Sequence, residues 1–140
     1  MINAFLSVPV AVPAGTNVLF PSSRARTNGS CYCNGGWLDH SDGSGQFLIN
    51  RPGIYMVSVG IQATSATAGD DVAFSLTTNG EALAGTAMAE TITAADDVAQ
   101  LATSALLVVP CNASYTIGVQ NVGAADATVN AASLVLTRVA

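Results

Sequence analysis

The sequence predicts an all-β fold, an antiparallel sandwich of jelly-roll type with about ten strands. Three observations predict it. Apolar residues nowhere recur at helical spacing, while Val, Ile and Thr are plentiful. Short alternating runs are separated by turn residues. One of these separators is Asn79-Gly80, the pair most diagnostic of a tight hairpin because both residues tolerate positive φ.

The elements follow in order. Residues 2 to 12 and 17 to 20 read as extended, punctuated by Pro9, Pro13 and Gly15. Residues 21 to 45 form a long polar connection, with "SCYC" and "GWL" able to supply a small strand. "QFLIN", 46 to 50, is a short strand that contributes Phe47 to the core. In "RPGIYMVSVGIQA", a Pro-Gly turn launches a strand over 54 to 64, with Tyr55, Val57, Val59 and Ile61 on one face. The opposite face starts with Ile54 and Met56 before turning to Ser58, Gly60 and Gln62. A strand with one solvated face should be polar there, so that second face needs a cover.

Residues 71 to 78, "DVAFSLTT", place Val72, Phe74 and Leu76 inward and Ala73, Ser75 and Thr77 outward. "EALAGTAM" is the expected return strand after the hairpin. "AETITAADDVAQ", 89 to 100, has room for a helical turn at most, because Thr91, Ile92 and Thr93 oppose a longer one. Residues 98 to 109 end in "ALLVVP". "SYTIGVQNV", 114 to 122, turns Tyr115, Ile117 and Val119 inward, and 127 to 139 close the chain.

Composition narrows the function. The 140 residues are 50% hydrophobic and 9% charged, with four Arg, no Lys and a net charge of −5. That composition is the opposite of a disordered chain. Without clustered cations a nucleic-acid partner is not expected. No apolar run reaches the ~20 residues of a spanning helix, so membrane insertion is not expected either. A surface this poor in charge favours contact with copies of itself or with an assembly. The first fifteen residues lack a cationic region and a long apolar core. The expectation is a chain without a signal peptide, used in the cytoplasm or leaving by another route. Three Cys, an odd number, do not make a disulfide scaffold.

Several motifs resemble one family when taken in order: "VLF", Gly45-Gln46-Phe47, "RPGIYMVSVGIQA", "FSLTTNGEALAGT" and the final "SLVLTRVA". They resemble the C1q/TNF-like jelly rolls, and most of all the C-terminal domain of bacterial spore-surface collagen-like glycoproteins. The likeness covers residues 17 to 140, leaving 1 to 16 as an N-terminal arm or first strand. The chain departs from the spore proteins in lacking a Gly-x-y stalk. Similar stalkless modules serve in phage virions as capsid decorations or fibre heads.

The resemblance implies a homotrimer. Ile54, Met56, Ser58 and Gly60 would then face neighbouring subunits, and Tyr55, Val57, Val59 and Ile61 the core. The alternative cover for that face is residues 2 to 12 of the same chain.

Candidate chemical sites are few. Cys31, Cys33, His40 and Cys111 are zinc-type ligands, but a single residue between the first two is short for a structural site. Asp39, Asp42 and Ser44 in "DHSDGSG" offer oxygens without the register of a calcium loop; a polar turn is the simpler reading. A lone His without Gly-x-Ser-x-Gly does not make a hydrolase. Asp70-Asp71 and Asp96-Asp97 sit beside turn-like text and suit capping and solubilising loops. Tyr32 and Trp37 suit stacking on a sugar or pinning the loop to the sandwich. No cofactor is implied.

The reading is a non-enzymatic homotrimer on a particle surface, foremost a phage virion, with other virion or surface proteins as partners. The alternative is a spore- or cell-surface attachment module that binds a glycan or receptor.

Overall fold

The structure, a computed structural model, describes residues 1–26 and 37–140, with the side chains of Ala25 and Arg26 outside the description. Among the described residues the chain forms twelve strands and no helix. The strands make two antiparallel sheets.

In the first sheet β10 (Val98–Val109), β6 (Gly53–Thr64), β12 (Ala127–Arg138), β1 (Ile2–Leu6) and β3 (Ser22–Arg26) lie side by side. Here β2 (Val10–Val12) pairs with the start of β12. The second sheet orders β4 (Leu38–Asp39), β5 (Phe47–Ile49), β11 (Tyr115–Asn121), β7 (Asp71–Thr78) and β8 (Glu81–Ala82), and β9 (Met88–Thr91) pairs with β7. Residues 15 to 18 run beside the upper half of β11, with Val18 N–H donating to the Val119 carbonyl at 2.8 Å. Among the described residues the long connection contributes two strands, β3 and β4, one to each sheet.

The core lies between the sheets and follows from strand parity. Tyr55, Val57, Val59, Ile61 and Ala63 are buried from β6; Phe47, Phe74, Leu76, Ile117 and Val119 are buried from the facing sheet. Tyr115 is only half-buried, because it stands where β11 enters the sheet. In β12 the buried set switches from Val129 to Ala132, Leu134 and Leu136. A register shift between Val129 and Ala131 accounts for it: the extra residue of a bulge reverses which parity faces in. Phe20 packs edge-on against Phe47, with ring centres 5.5 Å apart.

Four expectations are corrected. Ser75 and Thr77 do not face water: both are buried. A flap over 83–86 covers Ser75, whose Oγ lies 3.2 Å from Thr86 Oγ1, and Thr77 lies against Gly118, where a Cβ would stand 2.9 Å from its hydroxyl oxygen. The same flap cuts the return strand short. β8 ends at Ala82, and Gly85 turns the chain at φ +82° before β9 pairs again higher up β7. Residues 89–100 hold no helical turn; they give the end of β9, a bend and the start of β10. Nor do residues 2 to 12 fold across the second face of β6. They join the sheet instead, with Ile2, Ala4 and Leu6 in the core.

Asn79 and Gly80 form the tight turn between β7 and β8, at φ +53° and +85°. Positive φ is costly for a β-branched side chain. Gly80→Val is expected to lower stability by about 1–2 kcal/mol, read as a drop in the urea midpoint at unchanged slope. An unchanged midpoint would mean that the turn does not hold this hairpin.

Candidate functional site

The outward face of the first sheet is the feature that calls for a function. Neither β6 nor β10 contains a charged residue over twelve positions each. Their register stacks the outward residues in rows: Val108 beside Ile54, Leu106 beside Met56, Ser104 beside Ser58, Ala102 beside Gly60, and Gln100 beside Gln62. β12 extends the same rows with Thr137, Val135, Ser133 and Ala131. The face thus runs from large apolar groups at one end, through small residues, to amides at the other.

Its apolar end is open. Leu106 and Val108 are 66% and 67% exposed, and Ile54 and Met56 are 36% and 38% exposed. Two-thirds exposure of a large aliphatic side chain is common singly, but a contiguous patch marks a contact surface. The middle is hollow. A Cβ built on Gly60 meets nothing within 4 Å, and a groove of about 640 Å³ lies there, bordered by Phe5, Arg24, Gln62, Gln100 and Ser133. β10 is also an edge strand, and it carries none of the Lys or Pro that usually guards one. The strand β6 half of this face was visible in the sequence. The β10 half was missed, although its signal was the unbroken "ALLVV" run.

The end of the sandwich below this face is fastened by cations on an aromatic ring. The Arg138 and Arg51 guanidinium carbons sit 4.4 Å and 5.4 Å from the Trp37 ring centre. Arg138 Nη2 donates to the Pro52 carbonyl at 3.3 Å, and Asn50 N–H donates to the Trp37 carbonyl at 2.9 Å. Tyr55 lies fully buried above, its hydroxyl donating to the Arg51 carbonyl at 2.9 Å. Gly53 is required here, since a Cβ would stand 2.6 Å from Arg138 Nε and 2.7 Å from the Ala140 carbonyl. Nothing in the sequence links the arginines to Trp37, because the contact is made only by the fold.

The other candidates are not brought together. Cys31, Tyr32 and Cys33 lie outside the described residues. Cys111 is an exposed free thiol. His40 is buried, stacked on Phe47 at 4.0 Å. Its Nδ1 is 2.9 Å from the Gln46 carbonyl; a carbonyl only accepts, so Nδ1 carries the proton, and Nε2 has no partner among the described residues. No group of three metal-type ligands occurs among the described residues. Asp42 accepts from Ser23 Oγ, and Ser44 Oγ accepts from Gln46 N–H. Asp39 is exposed. Of the acidic pairs, Asp70 and Asp97 accept within their own loops from Ser65 and Thr93, and Asp71 accepts from Thr91, its cross-strand partner in β9.

No protein-family model and no curated protein matches the chain. Solved structures do. The globular domain of zebrafish complement 1qA superposes with a TM-score of 0.66 over 99% of this chain and 98% of its own, at 10% identity. The Eiger TNF of S. frugiperda gives 0.69 over 99% and 92%, at 16% identity. The fold is the C1q/TNF jelly roll. Among the described residues, β1 and β2 lie in the first sheet of this architecture through their pairing with β12.

Burial raises the Tyr55 phenol above its ordinary value, against a smaller opposite pull from Arg138 and Arg51. The folded state therefore holds this proton more tightly than the unfolded chain. Its contribution is complete below pH ~10 and is lost as pH rises through the raised value. Tyr55→Phe is expected to cost about 1 kcal/mol at neutral pH through the lost hydrogen bond. It should also flatten the alkaline fall in melting temperature. Parallel alkaline limbs for the two proteins would refute this role.

Proposed function

We propose that the chain is a non-enzymatic, homotrimeric structural module that builds or decorates a particle surface, with a phage virion as its setting. One observation carries the assembly half of this reading: the open, charge-free face of β6 and β10. Burying its apolar end is favourable at about 25 cal/mol per Å², and neither strand carries a charge of its own to be desolvated. The small residues Ser58, Gly60, Ala102 and Ser104 let a neighbouring backbone come close. Around a three-fold axis each copy presents this face to the next, and the ring closes.

The C1q/TNF fold and the order of the sequence motifs support the trimer. The virion setting is supported by the chain's scarcity of charge. The mechanism is assembly rather than chemistry. Immunogold labelling of particles from the native source tests the setting; label confined to soluble fractions would overturn it.

The trimer has a sharper test. Sedimentation should give three times the 14.1 kDa chain mass. Gly60→Trp fills open space in the single subunit, so it should leave the melt of the subunit intact and abolish the trimer. Met56→Asp should act the same way through like charges forced together on burial. Tyr55→Ala should do the reverse, costing about 3–5 kcal/mol of subunit stability by analogy with Phe→Ala. A monomeric wild type, or a trimeric Gly60→Trp, would sink the reading.

A further inference from the structure

Two of the chain's four arginines stand on one indole at the end of the sandwich. The face of an indole attracts a cation and holds it in place. Neither Arg51 nor Arg138 pairs with a carboxylate among the described residues. Each guanidinium has five N–H donors, yet the one hydrogen bond their side chains make among the described residues is Arg138 Nη2 to the Pro52 carbonyl. In a chain of net charge −5, this is a local positive site with idle donors. Both exposed guanidiniums lie over one ring, so their centres are within about 10 Å of each other, close enough for one small ligand to reach both.

We infer that this end binds a carboxylate borne on a neutral, hydroxyl-rich scaffold, namely an acidic saccharide of the uronic acid class. A guanidinium fixed on a ring presents a planar fork that matches a carboxylate with two parallel hydrogen bonds. The surroundings select the scaffold. Asn50, exposed beside Arg51, offers a neutral donor and acceptor for hydroxyls. Trp37 is only half-buried, so part of the ring remains for the C–H face of a sugar. Asp39, exposed in β4, borders the site. It disfavours a ligand with dense negative charge, such as an acidic peptide. The site is built within one subunit, so it stands or falls separately from the trimer.

Trp37 is the sole tryptophan, so its fluorescence reports the site directly. Trigalacturonate titrated into the full-length protein should change that fluorescence saturably, with half-effect at about millimolar concentration. A neutral galactose trisaccharide should leave it unchanged. Arg51→Gln and Arg138→Gln should each weaken binding about tenfold or more, and Arg51→Lys should not restore it, because an ammonium lacks the fork. The Arg51 side chain makes no hydrogen bond among the described residues, so Arg51→Gln carries the test even if Arg138→Gln fails to fold. The inference is overturned by a flat titration, by an equal response in Arg51→Gln, or by a glutamate-rich peptide that binds where trigalacturonate does not.

Discussion

Two neighbouring strands of twelve residues, paired along their full length and without one charge between them, set the terms for this molecule. Alternation sends half of their side chains into the sandwich, where the second sheet covers them. The other half includes Ile54, Met56, Leu106 and Val108, and no other described residue covers them. An isolated subunit therefore leaves in water a hydrophobic face beside a strand edge that carries neither Lys nor Pro. The middle of that face is also hollow at Gly60, a shape suited to receiving a surface rather than shedding one. The proposed trimer meets both conditions with the same contact.

The second organising feature is the closure of the sandwich below Tyr55. Its hydroxyl reaches down to the Arg51 carbonyl, and Trp37, Arg51 and Arg138 stack beneath. Three distant parts of the chain are thus clasped at one end by ring-to-cation contacts and backbone bonds. At the other end the clasp is an amide. Asn121 is buried; its Nδ2 donates to the carbonyls of Val12 and Ala125, and its Oδ1 accepts from Gly123 N–H. A buried polar group with its partners in place fixes geometry without a desolvation penalty left over. The two ends are closed by different chemistry, ring-to-cation contacts at the lower one and a partnered amide at the other.

What the sequence disclosed follows from the range of the forces involved. The long strands β6, β7 and β10 and the Asn79-Gly80 turn were legible, because alternation and turn chemistry are local. β3 was not: "SSRAR" has no apolar alternation and becomes a strand by pairing with β1. The bulge after Val129 was hidden for a similar reason, since a parity switch is noticed only against a partner strand. Ser75 and Thr77 looked solvent-facing until the flap and Gly118 were placed over them. On the candidate interaction face, β6 declared itself through Ile54 and Met56, but β10 was recognisable as its extension only once the register was known. The clasp around Trp37 joins residues far apart in the chain, and no local pattern encodes it.

The first and last strands have a mechanical consequence. Ile2 of β1 lies opposite Leu136 of β12, so the outer ends of these two strands sit side by side. Ladder bonds in an antiparallel pair lie across the strands. A tension drawing the two ends apart therefore loads those bonds one at a time, as in a zip. A tension between opposite ends of the sandwich loads the whole ladder together in shear. The module should yield readily to peeling at one end and resist stretching along its length. Ala140, bonded through its backbone to Ile54, is the first catch such a peeling force would meet.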